Sequence, residues 1–311
     1  MANVFAGWGQ RHIIYGAAAI CAVLVCLGPH ARTGTAQAQS AAAAIPNFAP
    51  DPFTNWYPPG QYGDNFLPPE SGPGPVLSPP DHPYRPNDIG GLTDAASNPT
   101  YRVADLSNPI LQPWVVEQMK PWNDMALAGE KIPFTARERC FPPGVPGWNV
   151  FRRVAPPMIF FVQTPEKVLL IWRSDNQVRH VYLNVPHSEN FKPSWYGESV
   201  GHYEGSTLVV DTIGLKEHPY SFVDNYRTPH TYRLHVVERF SLSDDGNSIA
   251  VNVHVEDPGA FTTPWNAVQR LARSTRGPME ESSCAELGLT PGGDYFGLQA
   301  VAIPQAEIPD F

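Results

Sequence analysis

The chain has 311 residues, a net charge of −9, 35 prolines and four cysteines. That acidity repels phosphate backbones and anionic lipid, which argues against nucleic acid or membrane surfaces as partners. The absence of a Walker loop, a dinucleotide fingerprint, a Gly-x-Ser-x-Gly elbow and a His-Glu-x-x-His run removes the common nucleotide, α/β-hydrolase and metalloprotease classes.

In chain order, "MANVFAGWGQRH" carries Arg11 and His12 without an acid, and the next fifteen residues, "IIYGAAAICAVLVCL", are apolar or small. Such a run is short for a bilayer about 30 Å thick, and "AQA" at 36–38 offers a small-x-small cleavage site. Residues 1–38 are therefore expected to be a secretory signal, with an uncleaved anchor as the alternative. The mature chain would be periplasmic or secreted, and would not be held at a membrane. Cleavage removes Arg11 and Arg32 and takes the charge from −9 to −11. It also removes Cys21 and Cys26. Cys140 and Cys284 are then expected to form one disulfide, contributing about 4–5 kcal/mol by loop closure, with separate thiols or metal ligands as the alternative.

Residues 39–148 read as a wrapping arm. Between Gln39 and Val150 lie 21 prolines in 112 residues, and proline neither donates to a ladder nor tolerates a helix interior. Trp56, Tyr57, Tyr62, Phe66, Tyr84 and Tyr101 suit an arm laid against a surface. One short helix is expected around "PWVVEQMKPWNDMALAG", ended by Gly129.

Residues 149–266 read as an antiparallel β domain. "MIFFVQT", "KVLLIWRS", "VRHVYLNV", "SVGHYEG", "STLVVDTIG", "TYRLHVVERFSL" and "NSIAVNVHVED" are short β-branched runs with no crossover helix between them. About seven strands in a meander imply a lipocalin-like barrel, the alternative being a two-sheet sandwich. Residues 267–311 are expected to begin in a short helix, "NAVQRLARS", and end as a tail.

Two hairpin registers bear on chemistry. A turn at Asp245-Gly246 pairs position i with 491 − i, placing Val236, Glu238 and Phe240 on the core face and His235, Arg239, Asn252, His254 and Glu256 on the solvent face. Glu238 is the anomaly, a carboxylate among apolar side chains that must be paired or protonated. Arg173 is its expected partner.

A turn at Gly205-Ser206 pairs i with 411 − i and puts His202 diagonal to Asp211, where the carboxylate would orient an imidazole for acid–base work. The same face is also what a plain wet surface looks like. The connection 215–230 is long and aromatic. It is expected either to cap a barrel mouth, with His218, Tyr220, Asp224, Tyr226 and His230 toward a ligand, or to pack on the arm. A metal site at His235, His254 and Glu256 is disfavoured, and no metal or cofactor is expected.

The blocks "CFPPGVP", "ESVGHYEGSTLVVDTIG", "PHTYRLHVVERF" and "VEDPGAFTTPW", ending in "EESSC", resemble a family of exported, β-rich, functionally uncharacterised bacterial proteins. The resemblance covers roughly residues 140–285 and implies no activity, cofactor or site residue.

These features imply a protein that binds a small, mostly apolar or aromatic molecule in a barrel cavity. Trp172, Arg173, Tyr182, Trp195, Tyr203, Tyr220, Asp224 and His230 would be the wall and lid. The alternatives are a cofactor-independent hydrolase, lyase or isomerase using His202, Asp211 and Glu238, or an envelope scaffold. Oligomeric state is not legible.

Overall fold

The computed structural model describes residues 45–59, 65–83, 102–128, 141–150, 158–173, 177–274 and 277–279. The signal at 1–38 and both Cys140 and Cys284 lie outside the described residues, as do Tyr62, Tyr84 and Tyr101.

Nine strands close into one barrel in sequence order. They are β1 (Asn55–Tyr57), β2 (Ile159–Gln163), β3 (Lys167–Trp172), β4 (Gln177–Leu183), β5 (Glu198–Glu204), β6 (Thr207–Ile213), β7 (His235–Leu242), β8 (Ser248–Glu256) and β9 (Trp265–Ser274). The expected mainly β barrel is thus present, with three corrections.

The first is that β4 and β5 run parallel, Val181 opposite Ser199, so the sheet is mixed rather than a pure meander. A parallel step needs a crossover of a dozen residues or more, and the proline-containing segment 184–197 is that crossover. The second is that "NAVQRLARS" belongs to β9, not to a helix. Its buried residues alternate (Trp265, Ala267, Gln269, Leu271), the period-2 signature of a strand. The β wall therefore runs past residue 266. The third is that the arm is part of the wall. β1 pairs with β9, Asn55 opposite Ser274, and with β2, Trp56 opposite Ile159, and these two pairings remove both sheet edges.

The registers expected for the two hairpins are the ones formed, Ser199 opposite Thr212 and Phe240 opposite Val251. The helix is also where the sequence puts it. Helix α1 (Pro113–Leu127) starts on a proline at its first turn and buries Val115, Met119 and Asn123 at four-residue spacing. Asn123 both donates to and accepts from the Ala104 backbone at 2.8 Å.

Core side chains come from wall and arm alike, with Phe48, Trp56, Phe66 and Val76 packed with Phe161, Phe240, Leu271 and Trp265. Gly201 sits where β4 and β6 press together. A Cβ there would fall 2.6 Å from the Val209 carbonyl and 2.9 Å from Val181 Cγ1.

Candidate functional site

One end of the barrel is stoppered by residues 141–150. The short 3₁₀ turn Gly147–Asn149 drives Trp148 inward, where it is buried, stacks on Phe240 at 6.1 Å and donates its indole N–H to Glu238 Oε1 at 2.9 Å.

Glu238 is fully buried, on the core face as its register requires. Among the described residues the cation paired with it is Arg179 of β4, at 2.5 Å, in place of the expected Arg173. Arg179 also donates through Nε to Ser199 Oγ (3.0 Å) and through Nη2 to Thr212 Oγ1 (2.8 Å), and its guanidinium lies 5.7 Å from the Trp148 ring centroid. The reason is alternation. In β4, Arg179, Val181 and Leu183 point in while Val178, His180 and Tyr182 point out. Reading that strand by period 2 finds Arg179 from sequence. Arg173 stands just beyond the end of β3, outside the alternation that fixes inward side chains.

Beside this pair is a cavity lined by Trp148, Ile159, Leu170, Trp172, Arg179 and Tyr196. Its empty space is about 200 Å³, mouth included, and the centre of a water can occupy about 10 Å³ of it. Arg179 is one of the lining residues, and its Nη1 is buried without a hydrogen-bond acceptor among the described residues.

Trp172, expected as a wall residue, lines the cavity. Tyr203 packs against the core, its hydroxyl accepting from Gln163 Nε2 at 2.9 Å, and burial pushes its phenol above the usual value. Tyr182 is 47% exposed on the outer surface, so it is no part of an inner wall.

His202 and Asp211 do not form the expected pair. His202 donates to Glu204 Oε1 at 3.0 Å, and both side chains are about half exposed. Asp211 instead accepts at one oxygen from His187 Nε2 (3.0 Å) and His235 Nε2 (2.9 Å). Those bonds hold the Asp211 carboxyl below its usual range, and the Asp211 bond raises the His235 imidazole against the opposing effect of burial. The ladder continues from His235 Nδ1 to Glu256 (3.6 Å) and from His254 to Glu256 (3.1 Å) along the outer wall. His187 comes from the crossover, which hairpin registers cannot place.

The 215–230 connection packs on the arm, the second of the two expectations for it. Tyr226 Oη bonds Asn65 (3.0 Å) and Ser78 (3.1 Å). Asp224, fully buried, accepts from the Tyr226 and Thr228 amides and the Thr228 hydroxyl, while desolvation pushes its carboxyl up to about 6. It organises the loop and is not presented to a ligand.

At the stoppered rim, Trp195 stacks on Phe141 at 4.9 Å, with His218 and Tyr220 completing a partly exposed aromatic patch and Lys216 Nζ 5.5 Å from the Trp195 ring. His230 is buried next to Ser221, Oγ to Nε2 2.7 Å.

No family model, curated protein or solved structure matches this chain. Among the described residues no helix is long and apolar enough to cross a membrane, and no cluster of three or more His, Cys, Asp or Glu side chains suits a metal ion.

Proposed function

We propose that this protein is an exported binder of a small, mostly apolar, preferably single-ring aromatic molecule, held at the stoppered end of the barrel between Trp148, Trp172, Tyr196 and Arg179. The observation that carries the reading is Arg179 Nη1, a buried donor on an aromatic-lined wall with no acceptor among the described residues. Leaving such a donor unmade costs about 1–3 kcal/mol, so a ligand presenting one acceptor recovers free energy that an aliphatic one cannot. Glu238 already balances the Arg179 charge, which favours a neutral acceptor over an anion. Ile159, Leu170 and the two indoles supply the rest of the contact. As it stands the space holds about one water, so a single ring enters only as half-buried Tyr196 swings aside and enlarges it.

The test compares acetophenone with ethylbenzene, which differ by one carbonyl acceptor, by calorimetry on the mature protein. Acetophenone is expected to bind at one site about tenfold or more tightly, the ratio for one hydrogen bond to a charged group. Arg179→Lys keeps the charge facing Glu238 but cannot serve both partners, and is expected to erase the preference. Equal affinities, or no saturable binding of either compound, would contradict the reading.

A further inference from the structure

The loop that packs on the arm also holds a pair of groups that structural duty alone does not require in this arrangement. His230 Nδ1 lies 2.9 Å from the Thr231 carbonyl oxygen. A carbonyl only accepts, so Nδ1 carries the proton and, in the neutral ring, Nε2 is left with its lone pair. Ser221 Oγ, 2.7 Å away, must then donate to Nε2. That is the arrangement of a hydroxyl with its general base, the ring being held from behind by a third group.

The third group is itself fixed. Asp257 accepts from the Thr231 amide and from the Thr231 hydroxyl, each at 2.6 Å. His230 is 5% and Ser221 6% exposed, and burial depresses the imidazole below its usual value, so the base is neutral at pH 7.

Gly144, whose φ is +74°, lies against Ser221. A Cβ at that position would lie 3.9 Å from Ser221 Oγ and 3.1 Å from the Trp195 carbonyl. The Gly144 amide donates to nothing among the described residues. The rings of Phe141, Trp195, His218 and Tyr220 pack on one another, and the Trp195 carbonyl neighbours Gly144.

We propose that Ser221 and His230 are a nucleophile and its general base for acyl transfer from small aryl esters, with Gly144 N–H as oxyanion donor and the Phe141–Trp195 patch as the platform for the aromatic group. This goes beyond the binding site at Arg179 and uses a separate set of residues. Ser221 Oγ forms a bond to the ester carbonyl carbon as its proton passes to His230 Nε2. The tetrahedral oxyanion collapses, the C–O bond to the leaving phenol breaks, and His230 returns the proton to the departing oxygen. Water then adds to the acyl-Ser221 ester, giving its proton to His230. The carboxylic acid leaves and Ser221 recovers its hydrogen.

The experiment treats the native, full mature chain with a fluorophosphonate and locates the adduct by peptide mass spectrometry between pH 4.5 and 9. The expected result is one label, on Ser221, at a rate that is level above pH 6.5 and falls at lower pH, as required of a base depressed by burial. Phenyl acetate hydrolysis should follow the same profile and drop at least a hundredfold in Ser221→Ala. No label, a label elsewhere, or a Ser221 rate that simply climbs with hydroxide would overturn the proposal. Labelling of the native chain decides the matter even where the variant fails to fold.

Discussion

Glu238 and Arg179 show how one residue acquires a role from its surroundings. An isolated carboxylate in this core would be untenable. With Arg179 at 2.5 Å, the Trp148 indole on its other oxygen and Ser199 and Thr212 sharing the guanidinium, the charges are held in a connected polar network. Removing one member of such a buried pair costs about 3–5 kcal/mol, because its partner is left uncompensated. On the opposite face the same strands carry a wet network, and its pH dependence has a definite sign. His235 is raised by Asp211 first and by Glu256 after it. Its contribution is therefore full below the unfolded imidazole value near 6.5 and is lost as pH rises through the higher folded value. The Tm gap between wild type and His235→Gln should be wide at pH 5.5 and narrow by pH 8.5. A gap that widens with pH would contradict the Asp211–His235 assignment. The groups facing His235 are Asp211, with His187 on the same oxygen, and Glu256, with His254 behind it.

At the scale of elements, the stopper matters most. Residues 141–150 would be dismissed as arm on composition, since three of the ten are proline. Yet Pro146, Gly147 and Trp148 turn the chain into the barrel and supply a donor that Glu238 accepts. Trp148→Ala removes an indole that stacks on Phe240 and leaves Glu238 Oε1 without that donor, so a loss of about 3–5 kcal/mol is expected by denaturant titration. A loss under 1 kcal/mol would mean that the stopper merely rests on the rim. Strand pairing was legible wherever a short turn fixed the register, as at Gly205 and Gly246, because alternation then assigns every side chain to a face. It was not legible at the 184–197 crossover, where no turn ties β4 to β5. That hides His187, whereas Arg179 follows from the alternation within β4 itself, which the expectation of Arg173 leaves unused. β9 is hidden in the sequence for a different reason. "NAVQRLARS" is rich in helix formers, and what makes it a strand is the pairing of Val255 with Trp265 and of Ile249 with Leu271, contacts that override local propensity.

For the whole molecule, closure depends on chain far apart in sequence. β1 from the arm seals β9 to β2, so the arm that composition sets apart is structurally the ninth stave. The sequence does announce its adhesion, through Phe48, Trp56 and Phe66, but three residues of strand among prolines carry no periodic signal. Large side chains fill much of the interior that results, and a small cavity lies beside Arg179, where an unmet donor and aromatic walls coincide.

The most direct test of the account is an NMR titration of the mature protein with acetophenone, following the tryptophan indole and arginine guanidinium signals. Saturable shifts at Trp148, Trp172 and Arg179, with Trp195 at the rim unmoved, are the predicted result. Shifts confined to Trp195, or none at all, would contradict a ligand site inside the stoppered end.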